Sequence, residues 1–92
     1  MARVALAGYI IVPPRDLDAV IKELPNHISL TKSEPGCLSF DVIQSTENPL
    51  RFDVSELFES QLAFEEHQTR VQSSYWGEVT RRVERHYKIT KA

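Results

Sequence analysis

His67, one of three histidines in this 92-residue chain, is a candidate to move a proton. An imidazole gives up or takes a proton near neutral pH, as no other unperturbed side chain does. Tyr75 and Trp76 follow it at eight and nine residues. Together with Phe40, Phe52 and Phe64 they are candidates to wall a flat aromatic pocket between helices and sheet. Plain core packing is the other reading of those rings. His67 likewise has two readings: a proton-transfer group, or a partly buried histidine bridging a break in a helix. Glu56 falls among Phe52, Val54 and Phe58 at alternate positions. A carboxylate in such a set is either paired or raised in pKa. It either orients His67 or pairs with an arginine such as Arg70 or Arg51.

Other reactive types lack the spacing that chemistry needs. His27, His67 and His86 are far apart and form no recognised ligand pattern, so no metal is expected. Cys37 follows a turn glycine with no base beside it, and reads as a small buried apolar residue. The sequence has no phosphate-cradling Gly-rich loop, nucleophile elbow or dinucleotide fingerprint.

Six elements must position these side chains. Arg3 to Val12 is continuously apolar, as befits a central strand covered on both faces. Gly8 within it marks a bulge or a close backbone approach. Pro13-Pro14 ends it. Asp16 is the expected N-cap of a helix with Leu17, Val20, Ile21, Leu24 and Ile28 on its apolar face. Pro25 should kink or split that helix, which runs to about Lys32. After the turn at Ser33-Glu34-Pro35-Gly36, Leu38 to Ser45 alternates, with Leu38, Phe40, Val42 and Gln44 on one side. Arg51 to Phe58 alternates again across a polar turn, which predicts a β-hairpin. Ser60 caps a helical stretch from Gln61 to about Gln68. A second stretch, Val71 to Thr80, carries Val71, Tyr75, Trp76 and Val79 on one stripe, and the two stretches together read as one broken helix. Arg82 to Thr90 reads as the last strand, with Val83, Tyr87 and Ile89 facing one way.

That order predicts an α+β, ferredoxin-like βαββαβ domain over residues 1–92. Right-handed crossovers would place the helices on one face of a four-stranded antiparallel sheet. Ile43 and Leu57 fall on the face left bare, so a homodimer packing sheet to sheet is expected. A net charge of −2, with basic residues scattered apart from Arg81, Arg82 and Arg85, argues against nucleic acid and an electrostatic membrane anchor. The longest apolar run, Val4 to Val12, is too short to span a bilayer. A single cysteine permits no intramolecular disulfide and fits a cytoplasmic location.

Four segments, in this order, resemble one family: Glu34-Pro35-Gly36-Cys37-Leu38-Ser39-Phe40-Asp41-Val42; Asn48-Pro49-Leu50-Arg51-Phe52; Ser55-Glu56-Leu57-Phe58-Glu59; and Ala63-Phe64-Glu65-Glu66-His67-Gln68. The chain is similar in these to the antibiotic biosynthesis monooxygenase domain family, which includes small quinol and anthrone monooxygenases. The resemblance implies a dimeric ferredoxin-like protein that needs no cofactor, with His67 in the place of the family's helix histidine. Members also include haem-degrading enzymes and an isomerase of a quorum-sensing sugar derivative. Gly8 stands where the haem-degrading relatives carry an asparagine, and His67 where they carry a tryptophan, so haem breakdown is not expected.

The leading expectation is a cofactor-independent monooxygenase that uses O₂ on a quinol-like or polycyclic aromatic substrate. His67 and Glu56 are its expected catalytic residues, and Tyr75, Trp76, Phe40 and Phe64 its substrate-binding residues. Two alternatives stand beside it: an isomerase of a small oxygenated metabolite, and a non-catalytic dimeric ligand-binding domain.

Overall fold

The computed structural model describes residues 2–91. Strand β1 (Val4–Ile11) leads through a 3-10 turn at Pro14–Asp16 into helix α1 (Leu17–Lys32). Strands β2 (Cys37–Gln44) and β3 (Arg51–Phe58) form the hairpin. Helices α2 (Gln61–Gln72) and α3 (Tyr75–Val79) precede strand β4 (Glu84–Lys91). The four strands make one antiparallel sheet in the order β2-β3-β1-β4. This is the ferredoxin-like arrangement expected from the sequence, with β1 and β3 at its centre.

One face carries the core. Val4, Leu6 and Ile10 of β1 stand opposite Phe58, Glu56 and Phe52 of β3, and all are buried. Phe40 and Val42 of β2 extend the set. Helix α1 adds a stripe of Val20, Leu24, His27 and Thr31, spaced for one face. Two of those four are polar, and both serve the site described below.

The structure corrects several local expectations. Leu38 is 47% exposed, because the register slips between Cys37 and Ser39 and leaves it as the extra residue of a bulge. Ile21 is exposed, while His27 and Thr31 take its expected share of the buried face. Helix α1 runs through Pro25 unsplit, and Pro25 lies on its exposed side. Water can therefore satisfy the carbonyl that the missing N–H leaves free. Asp16 precedes α1 but makes no side-chain cap. Its carboxylate instead accepts two hydrogen bonds from the Arg82 guanidinium, one of them from Nε at 3.0 Å. That pair ties the start of α1 to the approach to β4.

Among the described residues nothing covers the other sheet face. Ile43 is 64% exposed there, and Tyr9, Ile11 and Leu57 are partly buried. On this face the Arg51 guanidinium lies 3.8 Å from the centre of the Tyr9 ring, and His86 stacks on that ring at 4.6 Å. Arg51 also pairs with Asp53, so it is not a partner of Glu56. Among the described residues no helix is long and apolar enough to cross a membrane.

Candidate active site

Local capping sets the two helices that carry the site. Ser60 caps α2 by accepting from the Ala63 N–H at 3.1 Å, and Ser74 caps α3 by accepting from the Gly77 N–H at 3.1 Å. The break between them falls at Ser73-Ser74, so α2 runs one turn past its expected end at Gln68. That extra turn brings Arg70 into the helix. From α2, Ala63, Phe64 and His67 are buried. The His67 ring lies 5.0 Å from Phe58 and 5.8 Å from Phe40, centre to centre.

Both nitrogens of His67 meet a carboxylate. Nδ1 is 2.7 Å from Oε1 of Glu34, in the turn between α1 and β2. Nε2 is 3.9 Å from Oε1 of Glu56 on β3. The other oxygen of Glu34 accepts from Nε of Arg70, whose Nη2 donates to Thr31 Oγ1 at 3.0 Å. An ionised carboxylate only accepts, so Glu34 holds the imidazole proton on Nδ1 and leaves Nε2 bare. At 3.9 Å, Nε2 and Glu56 are too far apart to bond directly.

Between this side of the sheet and the helices lies a cavity of about 220 Å³. Its inner wall is largely apolar, with Leu6, Phe40 and Val54 among the lining residues. His67, Glu56 and His27 are its buried titratable groups. His27 stacks face to face on Trp76, with ring centres 4.4 Å apart and planes within 4°. The more exposed lining residues Gln68, Val71, Arg85 and Tyr87 mark the mouth. Arg85 is held there by hydrogen bonds from Nη2 to the Thr80 carbonyl at 3.1 Å and hydroxyl at 3.3 Å.

Burial sets the protonation states. It raises Glu56 to about 7, and the nearby charge of Glu34 pushes the same way. It lowers His67, although the Glu34 hydrogen bond and charge oppose the change. It lowers His27 to about 3, helped by His67 and Arg70, so His27 is neutral at physiological pH. The site therefore holds a neutral imidazole beside a carboxyl that burial keeps partly protonated near neutral pH.

Of the residues singled out in the sequence, His67, Glu56, Trp76 and Phe40 line this one cavity. Tyr75 does not: it is 62% exposed on the outside of α3. Neighbours on a helix point about 100° apart, so Trp76 facing inward turns Tyr75 out. Phe64 is also elsewhere. It is buried one turn before His67, edge-on to Phe58 at 5.8 Å. Four contributors went unseen in the sequence: His27, Glu34, Thr80 and Arg85. Only His27 left a signal there, since it completes the period of Val20, Leu24 and Thr31. Among the described residues, no group of three His, Cys, Asp or Glu side chains is placed to hold a metal.

Residues 3–78 match the family model described as antibiotic biosynthesis monooxygenase. No curated protein matches the sequence. Solved structures do resemble the fold. A Nitrosomonas europaea protein assigned to that family superposes with a TM-score of 0.76 at 20% identity, over 99% of this chain and 88% of its own. PA3566 of Pseudomonas aeruginosa gives 0.78 at 22% identity, over 100% and 93%. Rv0793 of Mycobacterium tuberculosis gives 0.68 at 21%, again over 100% and 93%. At these identities the structures speak for the fold alone, and the match over most of the sequence places the chain in the antibiotic biosynthesis monooxygenase family.

Proposed function

We propose that the protein is a cofactor-independent monooxygenase of a small quinol-like aromatic, with His67 as the base. One observation carries the reading. The bare Nε2 of a neutral histidine faces a ring-lined cavity, apolar on its inner wall and polar toward its mouth, in which the nearest carboxyl is partly protonated. Such a site can deprotonate a phenol without surrounding the product with negative charge. The cavity of about 220 Å³ favours one or two fused rings over a larger polycycle, and it is too small for a haem.

The chemistry balances without an external reductant. The phenolic O–H breaks, its proton goes to Nε2 and the electron pair stays on oxygen. The phenolate gives one electron to O₂, and the resulting radical and superoxide combine at a ring carbon bearing hydrogen. The peroxide then loses water and leaves a carbonyl. A phenol plus O₂ thus becomes a quinone plus water, and the four electrons that reduce O₂ come from the substrate. Trp76 and Phe40 flank the ring, and Arg85 at the mouth attracts the developing anion.

In air, the purified protein should consume one O₂ per naphthol-type substrate converted to quinone. No uptake above buffer would sink the oxygenase reading. A second reading is favoured by the pairing of one base with one partly protonated acid across 3.9 Å, which is what a proton-shuttling isomerase needs. Turnover of an oxygenated metabolite that is unchanged when O₂ is removed would select it.

The bare sheet face fits pairing with a second copy through Ile43 and its neighbours. Light scattering should then give twice 10.6 kDa, and a monomer mass would exclude that assembly.

A further inference from the structure

The Glu34-Pro35-Gly36 turn is distinctive in the sequence, yet none of the roles above explains it. Its geometry does. Gly36 adopts φ +89°, and a Cβ there would lie 2.6 Å from the Cβ of Ala63 on α2. Only glycine lets the turn press this closely against the helix. The backbone is pinned as well, with Glu34 N–H donating to Thr31 O at 3.0 Å and Glu59 N–H donating to Gly36 O at 2.8 Å. Ala63 is one turn before His67, so the close approach delivers the Glu34 carboxylate to Nδ1. Arg70 and Thr31 then fix its orientation from α2 and α1.

We infer that Glu34 is the positioning residue of the proposed reaction: by accepting from Nδ1 it decides which nitrogen of His67 faces the cavity, and it stabilises the imidazolium formed when Nε2 takes the substrate proton. The inference rests on the reading of His67 as base. Glu34 makes no contact with the cavity; it acts through His67 alone. The other charged or titratable groups around the imidazole are Arg70 on α2, Glu56 on β3 and His27 on α1, with Arg85 and Tyr87 across the cavity on β4. None of them contacts Nδ1. The Glu34 side reaches solvent by a separate outer recess of about 210 Å³, lined by Glu34, Pro35, Ala63, Glu66, His67 and Arg70.

Glu34→Gln makes the inference testable without changing the size of the side chain. An amide has one acceptor oxygen, and Arg70 has only donors to offer it. The amide oxygen therefore stays with Arg70 and the amide N–H₂ turns to His67. Nδ1 must then accept, which moves the ring proton to Nε2 and removes the base from the cavity. Long-range ¹H–¹⁵N spectra of histidine-labelled protein at pH 7.5 read this directly. The original protein should show the Nδ1–H tautomer of His67 and the Glu34→Gln variant the Nε2–H tautomer. The kcat for quinol oxidation should fall about 10²-fold with KM little changed.

Glu34→Ala gives a second measurement. Formate entering through the outer recess should restore both the Nδ1–H signal and part of kcat, whereas a structural defect would not respond. An unchanged tautomer in Glu34→Gln overturns the inference. A tautomer that switches in a protein unable to oxidise any quinol removes the oxygenase reading instead, and leaves Glu34's control of the imidazole standing.

Discussion

Replacing His67 with glutamine is expected to lower kcat for quinol oxidation by about 10²- to 10⁴-fold, the range that a positioned general base contributes. Glutamine fills most of the imidazole's space beside Phe58 and Phe40 and still offers Glu34 an N–H. It has no group that takes a proton near neutral pH. The loss should therefore appear in kcat, with the fold intact by circular dichroism. The pH profile of the original protein supplies the second half of the test. Burial holds His67 below its ordinary range, so kcat/KM should rise with pH as the imidazole loses its proton. Above about 7, Glu56 ionises, and a second negative charge beside the nascent phenolate opposes its formation. The profile should be a bell whose alkaline limb follows Glu56, so Glu56→Gln should remove that limb. A His67→Gln variant within threefold of the original protein, or an alkaline limb that survives Glu56→Gln, would remove these roles.

The two groups in that prediction were legible in the sequence for different reasons. Glu56 interrupts a strand whose other inward residues are Phe52, Val54 and Phe58, and the period of two puts it inside. His67 shares its chemistry with His27 and His86, and what picked it out was its place in the Ala63-to-Gln68 segment that resembles the family. The partner that fixes its tautomer was not legible. Glu34 lies 33 residues away in a turn, and nothing local says which helix the turn will touch. His27 was hidden differently. The apolar positions of α1 were assigned around Ile21, whereas the buried face runs through Val20, Leu24, His27 and Thr31. A stripe that includes polar members is invisible to a count of apolar ones.

The fold was legible because alternation and helical spacing repeat over whole elements. The misses were local. A bulge turned Leu38 outward against a correct strand pattern, and the Ser73-Ser74 break decided that Trp76 and not Tyr75 faces the cavity. Function is more exposed to such events than fold is. One residue of slip changes which side chain lines a pocket, while the sheet order survives.

Gly8 is where fold and proposed function meet most tightly, and Gly8→Ala is expected to destabilise the protein by about 3 kcal/mol. Gly8 sits mid-strand in β1, opposite Val54 on β3 and Tyr87 on β4. A Cβ at this position would lie 1.9 Å from the carbonyl oxygen of His86. That atom is backbone on a neighbouring strand, so no rotamer change relieves the clash. Either β1 or β4 must move. Strand β3 holds the other side of β1 against the buried core, so β4, exposed along its whole length, is the element that gives way. Its displacement carries Arg85 and Tyr87 away from the mouth of the cavity. Thermal unfolding should therefore shift down by more than about 10 °C in a domain of this size. Amide exchange should rise along β4 before it rises in β2 and β3. Lys22→Arg, at an exposed position of α1 away from the sheet, is the control and should shift neither reading. A Gly8→Ala protein with unchanged melting and unchanged β4 protection would mean that β1 and β4 do not approach this closely.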